Sequence, residues 1–279
     1  MKYSVLSCFL IPTILFFSSS SCVEVQRQPN SLDQYKEVYL FTEDAEQILI
    51  KYIAKRTVRV IIRCTVYDID TKKVTKKKYN SGWGTGAIIY SSNNYSLIQT
   101  AQHVVVNKDI SNGTLIRKHT GFKFERRDIN NKIIDSVETK TKIIAVSKKF
   151  DIAVIKVYHN YNIQSKFAKY IYLGQSIRVV GFPSNRFVKG KHLSYEKSYI
   201  ATHNMGVSLV RFGTAGYFGN SGGAVWNQQG EIVGTIISLG GFRTIYGKYV
   251  PQQNHLYGPG IKTLRKFYIS KKMNYLLNR

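Results

Sequence analysis

The stretch Phe218-Gly219-Asn220-Ser221-Gly222-Gly223-Ala224-Val225 sets a single serine among small, turn-forming residues. A loop of this kind exposes the hydroxyl and turns backbone N–H groups toward it, the local requirement for a serine nucleophile. An apolar run, Glu231-Ile232-Val233-Gly234-Thr235-Ile236-Ile237, comes after a turn. The serine is therefore predicted on a tight loop entering a β-hairpin, not on a helix.

A serine hydroxyl becomes nucleophilic only when a base takes its proton, most often an imidazole held in one tautomer by a carboxylate. Of the six histidines, His103 alone ends a strand-like apolar lead-in, Ser96-Leu97-Ile98-Gln99-Thr100-Ala101-Gln102. His119, His159, His192, His203 and His255 stand in polar or loop-like surroundings. The orienting carboxylate is assigned to Asp151, which directly precedes the run Ile152-Ala153-Val154-Ile155-Lys156-Val157. Asp109, Asp128 and Asp135 lie in polar stretches and read as solvated charges.

Four strings, GWGTGAII (82–89), TAQHVV (100–105), DIAVIKV (151–157) and GNSGGAVWNQQGEIVG (219–234), resemble the signature blocks of trypsin-like serine peptidases. They are most similar to the HtrA-type bacterial and viral branch, and the resemblance spans roughly Val58 to Leu264. The order His, Asp, Ser is that of the chymotrypsin-type double barrel and differs from subtilisins and α/β-hydrolases. What the resemblance implies is an all-β fold of two six-stranded antiparallel Greek-key β-barrels with N-terminal and C-terminal helices. It also implies a serine endopeptidase in which Ser221 attacks, His103 shuttles the proton and Asp151 steadies the imidazolium. The N–H groups of Gly219 and Ser221 would form the oxyanion hole. Thr214 and Ala215 would line the base of the primary pocket, and Ser238, Leu239 and Gly240 would pair with the substrate strand. No acid stands at that pocket base, so uncharged small or apolar side chains are expected there rather than Arg or Lys. Asn220 replaces the aspartate with which trypsin-type zymogens pair a newly cut amino terminus, and Ala224 stands where relatives place proline.

Residues 1–22 read as a signal peptide: Lys2, an apolar core from Phe9 to Phe17, then small residues to Cys22. Two outcomes are open, simple secretion or a lipoprotein signal with Cys22 lipidated, and either exports the chain to the periplasm, the cell surface or the medium. Residues 23–42 are polar and would act as a tether. Residues 43–279 would form the peptidase domain, with barrels at about 57–160 and 170–260 and a closing helix over 261–277, leaving no room for a PDZ module. Glu43 to Arg56 is predicted helical, with Ala45, Ile48, Leu49 and Tyr52 on one face.

Of three cysteines only Cys64 belongs to the predicted domain, so the core, and no disulfide framework, must supply stability. Cys64 shares an alternating strand face with Val58, Val60, Ile62 and Val66 and reads as a small buried residue. Neither CxxC nor HxxxH spacing occurs, so no metal and no cofactor are predicted. The formal charge of +25 raises a second functional reading, a peptidase-fold binding module whose basic surface docks an anionic partner such as nucleic acid or membrane. Its clusters are Lys72, Lys73 and Lys76 to Lys78, Arg126 with Arg127, Lys148 with Lys149, and the final helix. No zinc finger, RNP-type string or recognition-helix pattern accompanies the charge.

Overall fold

The computed structural model describes residues 43–278 apart from 69–70, 107–109, 113–114, 185–189, 204–208, 214–217 and 244–248. The predicted signal peptide, Cys22, the tether, and the pocket residues Thr214 and Ala215 lie outside the described residues. The chain divides into two compact units, Met1–Ala45 and Glu46–Arg279. Of the first, only the opening turn of helix α1 (Glu43–Arg56) is described.

The second unit is built on two sheets. Strands β1 (Thr57–Asp68), β2 (Val74–Ser91), β3 (Ser96–Ala101), β4 (Ile110–Asn112), β5 (Leu115–Arg127), β6 (Ile133–Glu138), β7 (Thr141–Ser147) and β8 (Ile152–Val157) make the first, with a one-turn helix α2 (Gln102–Val105) after β3. The second holds β9 (Lys166–Phe167), β10 (Ser176–Gly181), β11 (Ser194–His203), β12 (Leu209–Phe212), β13 (Ala224–Asn227), β14 (Glu231–Thr235), β15 (Ser238–Arg243) and β16 (Tyr249–Pro259). Helix α3 (Ile261–Ser270) and a 3-10 turn, Asn274–Leu276, come last. The first sheet runs β4-β5-β1-β2-β3-β8-β7 with β6 on β5, and the second runs β15-β16-β12-β11-β10-β13-β14-β9. The chain is thus mostly β with terminal helices, as expected. Each sheet has eight strands rather than six, and neither path closes into a ring among the described residues. In the second sheet the two extra strands are the short β9 and a division of the run through Ile232 to Leu239 into β14 and β15, and in the first the short β4 is one of the two. Two- and three-residue strands carry too little periodicity to be read from sequence.

Alternation along the strands sorts the apolar side chains into three cores. Val58, Val60, Ile62, Cys64, Ile98, Phe124 and Ile155 fill the first sheet, with Cys64 4% exposed. Ile177, Val179, Ile200, Phe212, Val225 and Val233 fill the second. A third core joins them, where Leu97, Val154, Val180 and Trp226 meet Leu264, Phe267 and Tyr268 of α3. Helix α1 joins this third core through Leu49 and Ile53, but Ile48, predicted on the inner face, is 68% exposed. The inward stripe is set by Leu49 and Ile53, four residues apart. Arg178, fully buried on β10, is held by the Glu46 carboxylate, which also accepts the Tyr195 hydroxyl. A buried guanidinium requires such a partner, so this pair fixes α1 against β10 and β11.

Candidate active site

The register of the first sheet brings His103 to Asp151. Strands β3 and β8 are antiparallel with Ala101 opposite Ile152, so the residues just beyond, Gln102 and Asp151, meet at the end of the ladder. There the Gln102 N–H donates to the Asp151 carbonyl at 3.0 Å. Buried Val104 and Val105 anchor the single turn of α2 and leave His103 turned outward, its side chain 48% exposed. One carboxylate oxygen of Asp151 accepts the His103 backbone N–H at 2.8 Å, and the other stands 2.5 Å from ring Nδ1. With a carboxylate on Nδ1 the proton of a neutral imidazole resides there, which leaves Nε2 as the basic nitrogen. Asp151 itself has φ 52°, a left-handed conformation tolerated by Asp and Asn better than by other side chains.

The second sheet supplies the serine. Gly219 (φ 96°) and Gly222 (φ 89°) bracket Asn220 and Ser221 in left-handed turns that bulkier residues resist. Gly222 also lies so close to the end of β3 that a β-carbon there would stand 2.1 Å from Thr100 Oγ1 and 2.6 Å from the Ala101 nitrogen. Two hydrogen bonds lace the loop to the end of β14: the Gly222 N–H donates to the Ile236 carbonyl at 2.7 Å, and the Ile236 N–H to the Gly223 carbonyl at 2.8 Å. That exchange explains why β14 and β15 part at Ile236 and Ile237.

Gly84 is the spacer between the serine and the histidine segment. A β-carbon on it would come within 2.6 Å of Val104 Cγ2 and 2.9 Å of the Ser221 carbonyl oxygen, so the residue after His103 and Ser221 face each other across one glycine. The His103–Asp151 pair and the Ser221 loop therefore border the same glycine where the two sheets meet. Among the described residues, neither the Gly219 nor the Ser221 N–H donates to a protein acceptor.

Of the residues assigned to substrate binding, Ser238, Leu239 and Gly240 open β15, which lies at the end of the second sheet's path. Its pairing to β16 places Ser238 opposite Tyr257 and Leu239 opposite Leu256. Among the described residues its other edge has no strand partner, as addition of an extended peptide requires. No three His, Cys, Asp or Glu side chains converge as a metal site among the described residues.

Three neighbours of the loop were not singled out by the sequence. Thr85 is fully buried, and its hydroxyl donates to the Gly219 carbonyl at 2.7 Å. Trp83 Nε1–H donates to the Phe182 carbonyl at 3.2 Å. Phe218, immediately before Gly219, is 71% exposed. The signal for the first two lay in GWGTG, where residues between glycines mark a close backbone approach. One of the basic clusters is internally neutralised: Arg126 pairs with Asp135 and Arg127 with Glu125, so neither guanidinium is free surface charge.

The family model of the trypsin-like peptidase domain matches residues 84–234, more than half of the chain. Among solved structures, the crystal structure of the serine endoprotease from Yersinia pestis is similar in fold, with a TM-score of 0.53 at 16% sequence identity, covering 84% of this chain and 68% of that one. No curated protein has a significantly similar sequence. The matched segment runs from the Gly84 spacer through His103, Asp151 and the serine loop into β14, so family and geometry coincide on the same residues: the chain belongs to the trypsin-like peptidase family.

Proposed function

We propose that the chain is a serine endopeptidase working through an acyl-enzyme, with Ser221 as nucleophile, His103 as general base and acid, and Asp151 as the orienting carboxylate. The observation that carries the reading is the double contact of Asp151 with His103, 2.8 Å to the backbone N–H and 2.5 Å to Nδ1. It commits the imidazole to one tautomer and one orientation. His103 Nε2 takes the Ser221 proton as Oγ attacks the scissile carbonyl, then hands it to the leaving amine, and water repeats the sequence to release the acyl group. The Gly219 and Ser221 N–H groups receive the developing oxyanion, each such donor being worth on the order of 3 kcal/mol in the transition state. A substrate strand adds to the open edge of β15 at Ser238 to Gly240. An uncharged pocket near Thr214 and Ala215 takes a small or apolar side chain. The signal-like residues 1–22 send the enzyme out of the cytoplasm, either free or lipid-anchored at Cys22.

Labelling by a fluorophosphonate probe tests the reading. Wild-type protein labels, while Ser221→Ala and His103→Ala do not; absence of Ser221-dependent labelling in folded protein overturns it. A second reading, docking of an anionic polymer or membrane, draws on β7 and β8. There Lys142 stands directly opposite Lys156, whose Nζ lies 3.9 Å from the Tyr95 ring centre beside exposed Tyr158. Like charges placed opposite one another repel unless an anion intervenes. Salt-dependent binding to DNA or anionic vesicles, lost on Lys142→Glu, supports it, and no binding at low salt removes it.

A further inference from the structure

We infer that Thr85 is a positioning residue for the nucleophile loop: its hydroxyl and backbone N–H hold the two carbonyls that flank the Ser221 N–H unit and so aim the oxyanion-binding groups. This rests on the peptidase reading above.

Thr85 lies on β2 one residue past the pairing with β3, which begins at Gly86 opposite Thr100. Its backbone groups are thus released from the ladder on that side. The N–H donates to the Ser221 carbonyl at 2.8 Å, and the carbonyl accepts the Thr100 hydroxyl at 2.7 Å. The Thr85 hydroxyl bridges two further segments, donating to the Gly219 carbonyl at 2.7 Å and accepting the Phe182 N–H at 3.0 Å. Among the described residues it is the one side chain that hydrogen-bonds the 218–223 backbone.

A trans peptide is planar with its C=O and N–H pointing opposite ways, so fixing a carbonyl fixes the direction of the N–H across the same bond. The Phe218 carbonyl accepts the Ser184 N–H, and the Asn220 carbonyl accepts the Gly223 N–H at 2.9 Å. Those bonds turn the Gly219 and Ser221 N–H groups the other way. What prevents the intervening Gly219 carbonyl from rotating, and the two N–H groups from diverging, is Thr85. Asn220 does not do it: its side chain is buried against Gly181, and its Oδ1 has no partner. Glycine on both flanks of Asn220 and Ser221 makes the backbone easy to turn, so an external clamp matters more here than in a stiffer loop.

Three variants separate positioning from plain stability. Thr85→Val keeps the shape and removes the hydroxyl, Thr85→Ser keeps the hydroxyl, and Thr85→Ala substitutes should Thr85→Val not fold. Fluorophosphonate labelling is resolved into probe binding and phosphonylation, and amide hydrogen exchange is followed at Phe182 and through Phe218 to Gly223. Thr85→Val is expected to slow phosphonylation by about 10- to 100-fold, short of the full loss of an oxyanion donor, with probe binding within about threefold. It also speeds exchange at Phe182 and in the loop, while Thr85→Ser tracks the wild type in both. The inference fails by itself if wild-type protein labels at Ser221 and folded Thr85→Val or Thr85→Ala labels as fast. It fails equally if the loss is not rescued by Thr85→Ser, or if exchange changes uniformly across the domain. A wild-type protein without Ser221-dependent labelling overturns the peptidase reading, and the positioning role of Thr85 with it.

Discussion

Asp151 meets two demands with one side chain: it tolerates a left-handed backbone at φ 52°, and it offers separate oxygens to the His103 N–H and Nδ1. Asparagine shares the first ability and lacks the second, because its amide NH₂ cannot accept from Nδ1–H. Asp151→Asn therefore isolates the electrostatic role. The midpoint of thermal unfolding should stay within a few degrees of wild type, while kcat falls by about 10⁴-fold as the imidazole turns to the wrong tautomer. Peptide hydrolysis measured beside differential scanning calorimetry checks both halves. A variant that keeps more than a tenth of the activity would remove Asp151 from the mechanism.

Among the elements, strands that bury one face were legible and irregular segments were not. The face of Val58, Val60, Ile62, Cys64 and Val66, read from alternation in the sequence, is the buried face of β1. The run through Ile232 to Leu239 reads as one strand, yet Ile236 leaves the ladder to pair with Gly222 and Gly223. No local property of an isoleucine announces a partner in a loop more than ten residues earlier. Similarly the closing helix ends at Ser270 and not near Leu277, since Lys272 turns to φ 56° before the 3-10 turn. His103 and Asp151 could be chosen because each borders a strand end, whereas GWGTG marks only a close backbone approach around Thr85, whose particular contacts with Gly219, Ser221 and Phe182 lie far away in the chain. The loop element makes its own prediction. Gly222→Ala would force a β-carbon onto Thr100 Oγ1 and the Thr85 carbonyl, 2.1 and 2.2 Å away, at φ 89°. Overpacking and backbone strain together should cost about 2–4 kcal/mol in urea unfolding. The displaced loop should lose at least about 100-fold in labelling rate, the scale of a missing oxyanion donor. Wild-type stability in this variant would overturn the close approach of Gly222 to β3.

On the scale of the whole molecule, a site assembled from two sheets depends on what keeps the sheets in register with one another. One buried carboxamide does much of this: Gln99 on β3 donates through Nε2 to Thr235 Oγ1 on β14 at 2.5 Å and accepts the Tyr268 hydroxyl from α3. Burial foremost, with a smaller contribution from Tyr275, pushes the Tyr268 phenol well above its ordinary range. Proton linkage then sets the sign. Above about pH 10 the unfolded chain releases this proton while the folded chain keeps it, so the unfolded state binds fewer protons and stability falls as pH rises. The stabilisation is complete below about pH 10 and declines by at most about 1.4 kcal/mol per pH unit until the folded phenol ionises. Tyr161, raised mainly by burial as well, adds a parallel decline. Tyr268→Phe removes one of the two slopes and leaves Gln99 Oε1 unpaired, at a cost of about 1–3 kcal/mol near neutrality. Urea midpoints measured from about pH 8 to pH 11 should therefore start lower in the variant and converge on the wild type as the pH rises. Parallel curves would show that Tyr268 does not titrate with unfolding, and equal midpoints near neutrality would show that Gln99 holds the two sheets without α3.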